Sequence, residues 1–95
     1  MEKKFKKFPK KVYNEWGELC ENGEVWFVAV DIAYYLSDYV PEFDKYATQL
    51  REQGEEASIT ERNTIINPML DDIEKHFGTE TKDIVKDLIL WEEWK

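Results

Sequence analysis

The hydrophobic pattern in the first third of the chain is typical of a β-hairpin. β-branched and aromatic residues crowd the segments 12–21 and 24–30, and the pair Asn22-Gly23 lies between them. Asn-Gly supplies the two positive-φ positions of a type I′ turn, which joins antiparallel strands. Because 24–30 is apolar at nearly every position, we expect both faces of the second strand to be covered, whereas the first strand resembles an edge.

Helical spacing replaces the strand pattern after this segment. Asp31 fits the N-cap of a helix that Pro41 ends. A second helix then places apolar residues at positions 43, 46, 47 and 50, and Gly54 is its expected stop. The pattern therefore predicts two short helices behind the hairpin.

Residues 55–66 have two interpretations. Ser58 and Glu61 fit a capping box at the start of a helix. The isoleucines at positions 59, 65 and 66 around a polar centre also fit two short strands, and the pattern slightly favours strands.

Two further helices are predicted near the C-terminus. Asn67 as N-cap, Pro68 at the first helical position and Gly78 as the stop define one of them. The last begins near Thr79 or Thr81. The elements together predict an α+β fold, with an N-terminal β-hairpin in a small antiparallel sheet packed against three to four short helices.

Charge divides the chain into an arm and a body. Residues 1–11 carry six lysines and one glutamate, a net charge of +5, and the remaining residues carry −13. We interpret 1–11 as a basic N-terminal arm and 12–95 as a single small acidic domain. The arm is either a solubilising terminus or a contact for an anionic partner, and Phe5 and Phe8 favour its packing onto the domain at least part of the time.

Composition excludes several classes of function. The overall charge of −8 argues against direct binding of nucleic acid. One histidine, one cysteine and four isolated glycines offer no metal site, no nucleophilic pair and no phosphate loop, so we expect no enzyme and no cofactor. The single cysteine and the lack of a long apolar run predict a cytoplasmic protein with no membrane contact.

One stretch resembles a known family. The residues Gly23-Glu24-Val25-Trp26-Phe27-Val28-Ala29-Val30-Asp31-Ile32-Ala33-Tyr34-Tyr35-Leu36 are similar to the start of the BRO-N domain of phage antirepressors and baculovirus repeated-ORF proteins, and Asn63-Thr64-Ile65-Ile66-Asn67 is similar to a later part of it. The resemblance implies a strand that leads into a capped helix, a phage or mobile-element origin, and a transcriptional regulator that binds DNA or a repressor.

The acidic body suggests a different function. We expect a small non-enzymatic protein that inhibits a basic nucleic-acid-acting protein, such as a host nuclease, a CRISPR-type effector or a toxin, through charge-complementary contact. The BRO-N-like regulator and acidity that serves solubility alone are the alternatives.

Ten residues are candidates for the partner-binding surface. The carboxylates are expected on solvent faces without lysine partners, with those at 71 and 72 in the first turn of a helix. Leu90 and Trp94 are four residues apart and are expected to contact either a partner or a second copy of the chain. The complete set is Glu52, Glu55, Glu56, Asp71, Asp72, Glu74, Asp83, Asp87, Leu90 and Trp94.

Overall fold

The computed structural model describes residues 5–89, and all regular secondary structure in this part of the chain is helical, with no β-strand. Its helices are α1 (Lys10–Glu21), α2 (Val25–Ser37), α3 (Asp44–Gln53), α4 (Ile59–Phe77) and α5 (Thr79–Ile89), with a short 3₁₀ helix (Pro41–Phe43) before α3. The predicted α+β fold, with its N-terminal β-hairpin and antiparallel sheet, is therefore wrong. The described residues form an all-helical bundle.

The pair Asn22-Gly23 ends a helix instead of turning a hairpin. Gly23 has φ of 86°, but Asn22 has φ of −87°, so the two positive values of a type I′ turn are absent. The Gly23 N–H donates to Cys20 O at 3.0 Å and the Glu24 N–H to Leu19 O at 2.9 Å. This pair of bonds is the Schellman motif, which satisfies the last carbonyls of α1 and turns the chain directly into α2.

The apolar run that resembled a covered strand is the buried helix α2. This helix packs against α1, α3, α5 and the 3₁₀ helix, so it occupies the centre of the bundle. Val28, Ala29, Ile32, Ala33 and Leu36 have no solvent exposure. A helix that is enclosed on most sides is apolar on most sides, and over a short segment its sequence cannot be distinguished from that of a buried strand.

Asp31 lies in the middle of α2 and is not an N-cap. Its Oδ2 accepts a hydrogen bond from the indole Nε1 of Trp16 at 2.6 Å, which joins α1 to α2. The Trp16 side chain is fully buried. Asp31 therefore stabilises the pairing of the two helices and not the start of one.

α4 begins at the predicted capping box and not at Asn67. The Glu61 N–H donates to Ser58 Oγ at 3.1 Å, and the Ser58 N–H donates to Glu61 Oε1 at 3.4 Å. The favoured interpretation of 55–66 as strands is therefore wrong. Pro68 lies inside α4, where a proline removes one backbone hydrogen bond. The helix continues because its buried stripe runs along both sides of the proline, through Ile65, Ile66, Met69, Leu70 and Ile73.

Several other predicted boundaries are confirmed, although α2 ends at Ser37, before Pro41. Pro41 opens the 3₁₀ helix, and Gly54 and Gly78 lie immediately after α3 and α4 with φ of 84° and 98°. The N-terminal segment packs onto the bundle from Phe5 onward. The Phe8 ring is buried and meets Trp16 edge-on, with 5.0 Å between ring centroids.

No helix in residues 5–89 has both the length and the apolar character that a membrane span requires.

Two glycines of the α1 region provide a matched test of this fold. Gly17 lies within α1, and Gly23 is the positive-φ residue of the Schellman motif; a Cβ would meet nothing within 4 Å at either position. We expect Gly17→Ala to raise the free energy of unfolding by about 0.5 to 1 kcal/mol and Gly23→Ala to lower it by about 1 kcal/mol. Urea unfolding of both variants measures the difference, and a loss of stability in Gly17→Ala would contradict a helical α1.

Candidate functional site

A row of glutamates lies along the exposed side of α1. Glu15, Glu18 and Glu21 are spaced three residues apart and are all exposed; we call these three residues the α1 row. Exposed Glu24 continues the same spacing in the turn to α2. Residues three apart on a helix are neighbours, with about 5 to 6 Å between Cβ atoms, so the row places like charges side by side.

The charges of α1 oppose its helix dipole. Lys10 and Lys11 lie in the first turn, whereas Glu18 and Glu21 lie in the last. Carboxylates stabilise the N-terminal end of a helix and cations the C-terminal end, each by about 0.3 to 1 kcal/mol. This arrangement therefore lowers the stability of α1, and the need to fold does not explain it.

The anionic character extends from α1 through α2 to the start of α3. Residues 12–44 contain eight aspartates and glutamates and no lysine or arginine. All eight side chains are exposed. Within residues 12–44 no basic side chain offsets this charge, so its negative potential acts on whatever approaches this surface. The eight are Glu15, Glu18, Glu21, Glu24, Asp31, Asp38, Glu42 and Asp44.

The predicted carboxylate site is distributed over three separate elements. Exposed Glu52 lies at the end of α3, and Glu55 and Glu56 are exposed in the turn that follows. Burial lowers the pKa of the Arg62 guanidinium. The charge of Glu55 opposes this shift but does not cancel it.

Asp71, Asp72 and Glu74 lie in the C-terminal third of α4. They are more than ten residues beyond its first residue, Ile59, so the first-turn position predicted for Asp71 and Asp72 is wrong and the helix dipole does not explain the three carboxylates. Two of the three have lysine neighbours, contrary to the prediction. Lys45 Nζ is 3.9 Å from Asp72 Oδ2, and Lys82 Nζ is 3.7 Å from Glu74 Oε2.

Asp83 and Asp87 line an open groove between α1 and α5. The groove has a volume of about 590 Å³ and is completed by Tyr13, Glu80 and Ile84. The Tyr13 hydroxyl donates to Asp87 Oδ2 at 3.3 Å, while Lys7 Nζ lies 3.3 Å from Glu80 Oε1. Asp87 thus faces α1 and Asp72 faces α3, so the structure does not bring these two carboxylates together.

The predicted apolar contact pair, Leu90 and Trp94, lies outside the described residues and stays a prediction.

The surroundings of the thiol and the grouping of possible metal ligands can be described for residues 5–89. Cys20 is half-buried in α1, and burial raises its pKa to about 11, so the thiol stays protonated at neutral pH. Within residues 5–89, no three side chains of histidine, cysteine, aspartate or glutamate are grouped so that they could hold a metal ion.

The contact between Tyr46 and Asp72 predicts a pH dependence of stability. Tyr46 is buried and its hydroxyl donates to Asp72 Oδ2; burial first, and this carboxylate second, raise the pKa of the phenol above its usual value of about 10. The folded state therefore holds the proton more tightly than the unfolded chain. The resulting stabilisation is complete below about pH 10 and is lost as the pH rises further.

We expect the free energy of unfolding to fall less steeply above about pH 10 in Tyr46→Phe than in the wild type. Urea unfolding from about pH 8 to about pH 11 measures the two slopes. Cys20 also titrates in this range, but it is present in both proteins and cancels in the comparison. Equal slopes would contradict the contact.

Comparison with protein-family models, with curated proteins and with solved structures finds no match to this chain. The BRO-N resemblance stays a prediction. The arguments about function therefore rest on the geometry of the described residues.

The α1 row is the feature that the sequence prediction missed. Its signal is a glutamate at every third position from 15 to 24. On a β-strand, successive side chains alternate between two faces, so this spacing would not form a row. On a helix, the same positions are neighbours.

Proposed function

We propose that this protein binds the basic, nucleic-acid-binding surface of another protein through the carboxylates of α1 and α2 and thereby inhibits it. The observation that carries the proposal is the charge order of α1, with lysines in its first turn and Glu18 and Glu21 in its last. Evolution can retain charges that oppose the helix dipole when they serve a contact outside the helix.

The spacing of the α1 row supports this kind of partner. Three residues of helix advance about 4.5 Å along the axis, so the row presents one carboxylate at that interval. One strand of a DNA duplex presents one phosphate per about 3.4 Å. A groove built to hold phosphates by lysine and arginine meets a similar density of negative charge on α1.

The partner class is a basic host or toxin protein that acts on nucleic acid, such as a nuclease or a CRISPR-type effector. Electrostatic attraction of this kind acts before contact and accelerates association. An inhibitor then needs no reactive group, because occupation of the groove excludes the nucleic acid. The half-buried, protonated Cys20 is compatible with such a passive role.

Competition with DNA tests the proposal. The full chain is immobilised, exposed to a nuclease-treated bacterial lysate, washed, and eluted with a short DNA duplex. We expect the duplex to release basic nucleic-acid-binding proteins, and we expect their capture to fail with the Glu15→Gln, Glu18→Gln, Glu21→Gln variant. The matched control replaces Glu52, Glu55 and Glu56 by glutamine, which removes the same charge from the end of α3 and its turn.

Two results would contradict the proposal. Captured proteins that the duplex does not displace would show that the contact lies outside a nucleic-acid-binding surface. Equal loss of capture in both variants would show that net charge alone attracts the partner. Direct, salt-dependent binding of labelled duplex by the purified chain would favour the BRO-N-like regulator instead.

A further inference from the structure

The exposed side of α2 carries two aromatic rings. Phe27 is 51% exposed and Tyr34 is 36% exposed, and they are the large hydrophobic residues with the most solvent exposure among residues 5–89. They are seven residues apart, which is about two helical turns, so both rings lie on one face about 10 Å apart along the axis. We call the exposed face from Glu24 to Asp38 the α2 stripe.

Contacts with neighbouring residues hold both rings in place. The Phe27 ring meets the half-buried Trp26 ring edge-on, with 5.0 Å between centroids. Trp26 is fixed in turn by a hydrogen bond from its Nε1 to Leu50 O at 3.2 Å. The Tyr34 hydroxyl accepts from Arg51 Nη1 at 2.5 Å. Rings that are already ordered lose little conformational entropy on binding, which is the property of an interface anchor.

The polar residues of the α2 stripe have one sign of charge. Helical spacing places Glu24, Asp31 and Asp38 on the same face as the two rings, and all three are exposed. Asp31 is held by its bond from Trp16. The sequence of α2 contains no lysine or arginine. The charged groups that α2 places beside the two rings are therefore all carboxylates. Arg51, which reaches Tyr34 from α3, is the basic group seen there.

The two exposed rings and the carboxylates beside them together indicate which kind of partner the α2 stripe can bind. We propose that the α2 stripe binds a segment of a partner protein in which an apolar side chain is flanked by lysines or arginines. The apolar side chain packs between Phe27 and Tyr34, and the flanking cations meet the carboxylates beside them. A nucleic acid, an acidic segment, or the same stripe of a second copy would bring negative charge against Glu24, Asp31 and Asp38.

This inference rests on the proposed function and adds a specificity element to it. The α1 row can attract any basic surface, whereas an aromatic pair discriminates by shape and apolar contact. Partners with equal charge would therefore differ in affinity according to whether they present an apolar side chain between their cations.

Three peptides of about 14 residues separate charge from apolar contact. The first is an amphipathic helix of leucine and lysine, the second replaces each leucine by serine, and the third replaces each lysine by glutamate. Fluorescence anisotropy of labelled peptides measures the affinity of each for the full chain. We expect the leucine-lysine peptide to bind at least about tenfold more tightly than the lysine-serine peptide, and the leucine-glutamate peptide to bind weakly.

Phe27→Ala tests the position of the contact. We expect it to remove the advantage of the leucine-lysine peptide and to leave the affinity of the lysine-serine peptide unchanged. Gln49→Ala, at an exposed position of α3, is the control and should preserve the advantage. If Phe27→Ala lowers the melting temperature, Tyr34→Ala provides the same test at the other ring.

The possible outcomes separate the two proposals. Equal affinity for the leucine-lysine and lysine-serine peptides would overturn the α2 stripe but leave the charge contact of the proposed function intact. If both cationic peptides bound no better than the leucine-glutamate peptide, the proposed function would fail as well. A concentration-dependent dimer in sedimentation that Phe27→Ala abolishes would make a second copy the occupant and overturn the inference.

Discussion

Trp16→Ala is expected to lower the free energy of unfolding by about 3 to 5 kcal/mol. The ring is 2% exposed and packs edge-on against Phe8 and Tyr35, with centroid distances of 5.0 and 5.8 Å. Truncation leaves a cavity and removes the hydrogen bond to Asp31. A chain of this size has a total stability of about 5 to 14 kcal/mol, so the variant should be largely unfolded at moderate urea concentration.

Two variants show whether this loss comes from cavity formation. Trp16→Phe keeps a six-membered aromatic ring and removes the pyrrole part of the indole with its N–H, so it leaves a smaller cavity and should cost less than Trp16→Ala. Phe27→Ala removes a large aromatic side chain from an exposed position and should cost less than about 1 kcal/mol. A cost for Phe27→Ala as large as that for Trp16→Ala would contradict the exposed position of Phe27 on α2.

Neutralising the α1 row is expected to change stability and association in opposite directions. Replacing Glu15, Glu18 and Glu21 by glutamine removes repulsion between neighbours and two unfavourable charges at the C-terminal end of α1. We expect each of the two last-turn replacements to raise the free energy of unfolding by about 0.3 to 1 kcal/mol. Association with the leucine-lysine peptide should slow about tenfold at low salt and lose most of its salt dependence.

The control for this prediction is the variant with glutamine at positions 52, 55 and 56. It has the same net charge but retains the α1 row, so its association rate should lie close to that of the wild type. Stopped-flow measurements at two ionic strengths supply the rates, and urea unfolding supplies the stabilities. If the row variant associated as fast as the wild type, the carboxylates of α1 would have no steering role.

Local end signals were the part of the fold that the sequence predicted well. Gly54 and Gly78 stop α3 and α4 because their positive φ is adopted at little cost only by glycine. Ser58 with Glu61 also gave the start of α4, as the less favoured of two interpretations. Such signals depend on a few adjacent residues, so they do not require knowledge of the packing between helices.

The prediction failed where one local pattern serves two structures. Asn22-Gly23 fits a type I′ turn and also the end of a helix, and φ of Asn22 decides between them. Pro68 fits the first helical position, but the buried residues around it extend α4 in both directions. In both cases the deciding factor is packing between helices, which a single sequence does not display.

The incorrect strand prediction for 12–21 also explains why the sequence did not predict the α1 row as part of the binding site. On a strand over 12–21 the glutamates of α1 form no row, so the sequence predicts binding carboxylates only on the segments with helical spacing. Asp72 and Glu74 have lysine neighbours on other helices, Lys45 on α3 and Lys82 on α5. The spacing of residues within α4 does not reveal these neighbours. The predicted strand over 24–30 likewise covers Phe27, which the structure exposes on α2.

The aromatic packing of Phe5 sets an order of events during synthesis. Its ring lies 4.9 Å from that of Phe77, at the end of α4, and 5.2 Å from that of Tyr39. A ribosome adds about 5 to 20 residues per second, so Phe5 waits for seconds before its distant neighbour exists. The pairing of α1 with α2 needs only a short stretch of nascent chain. Phe5, which leaves the ribosome well before Phe77, is thus among the last residues to reach their final packing.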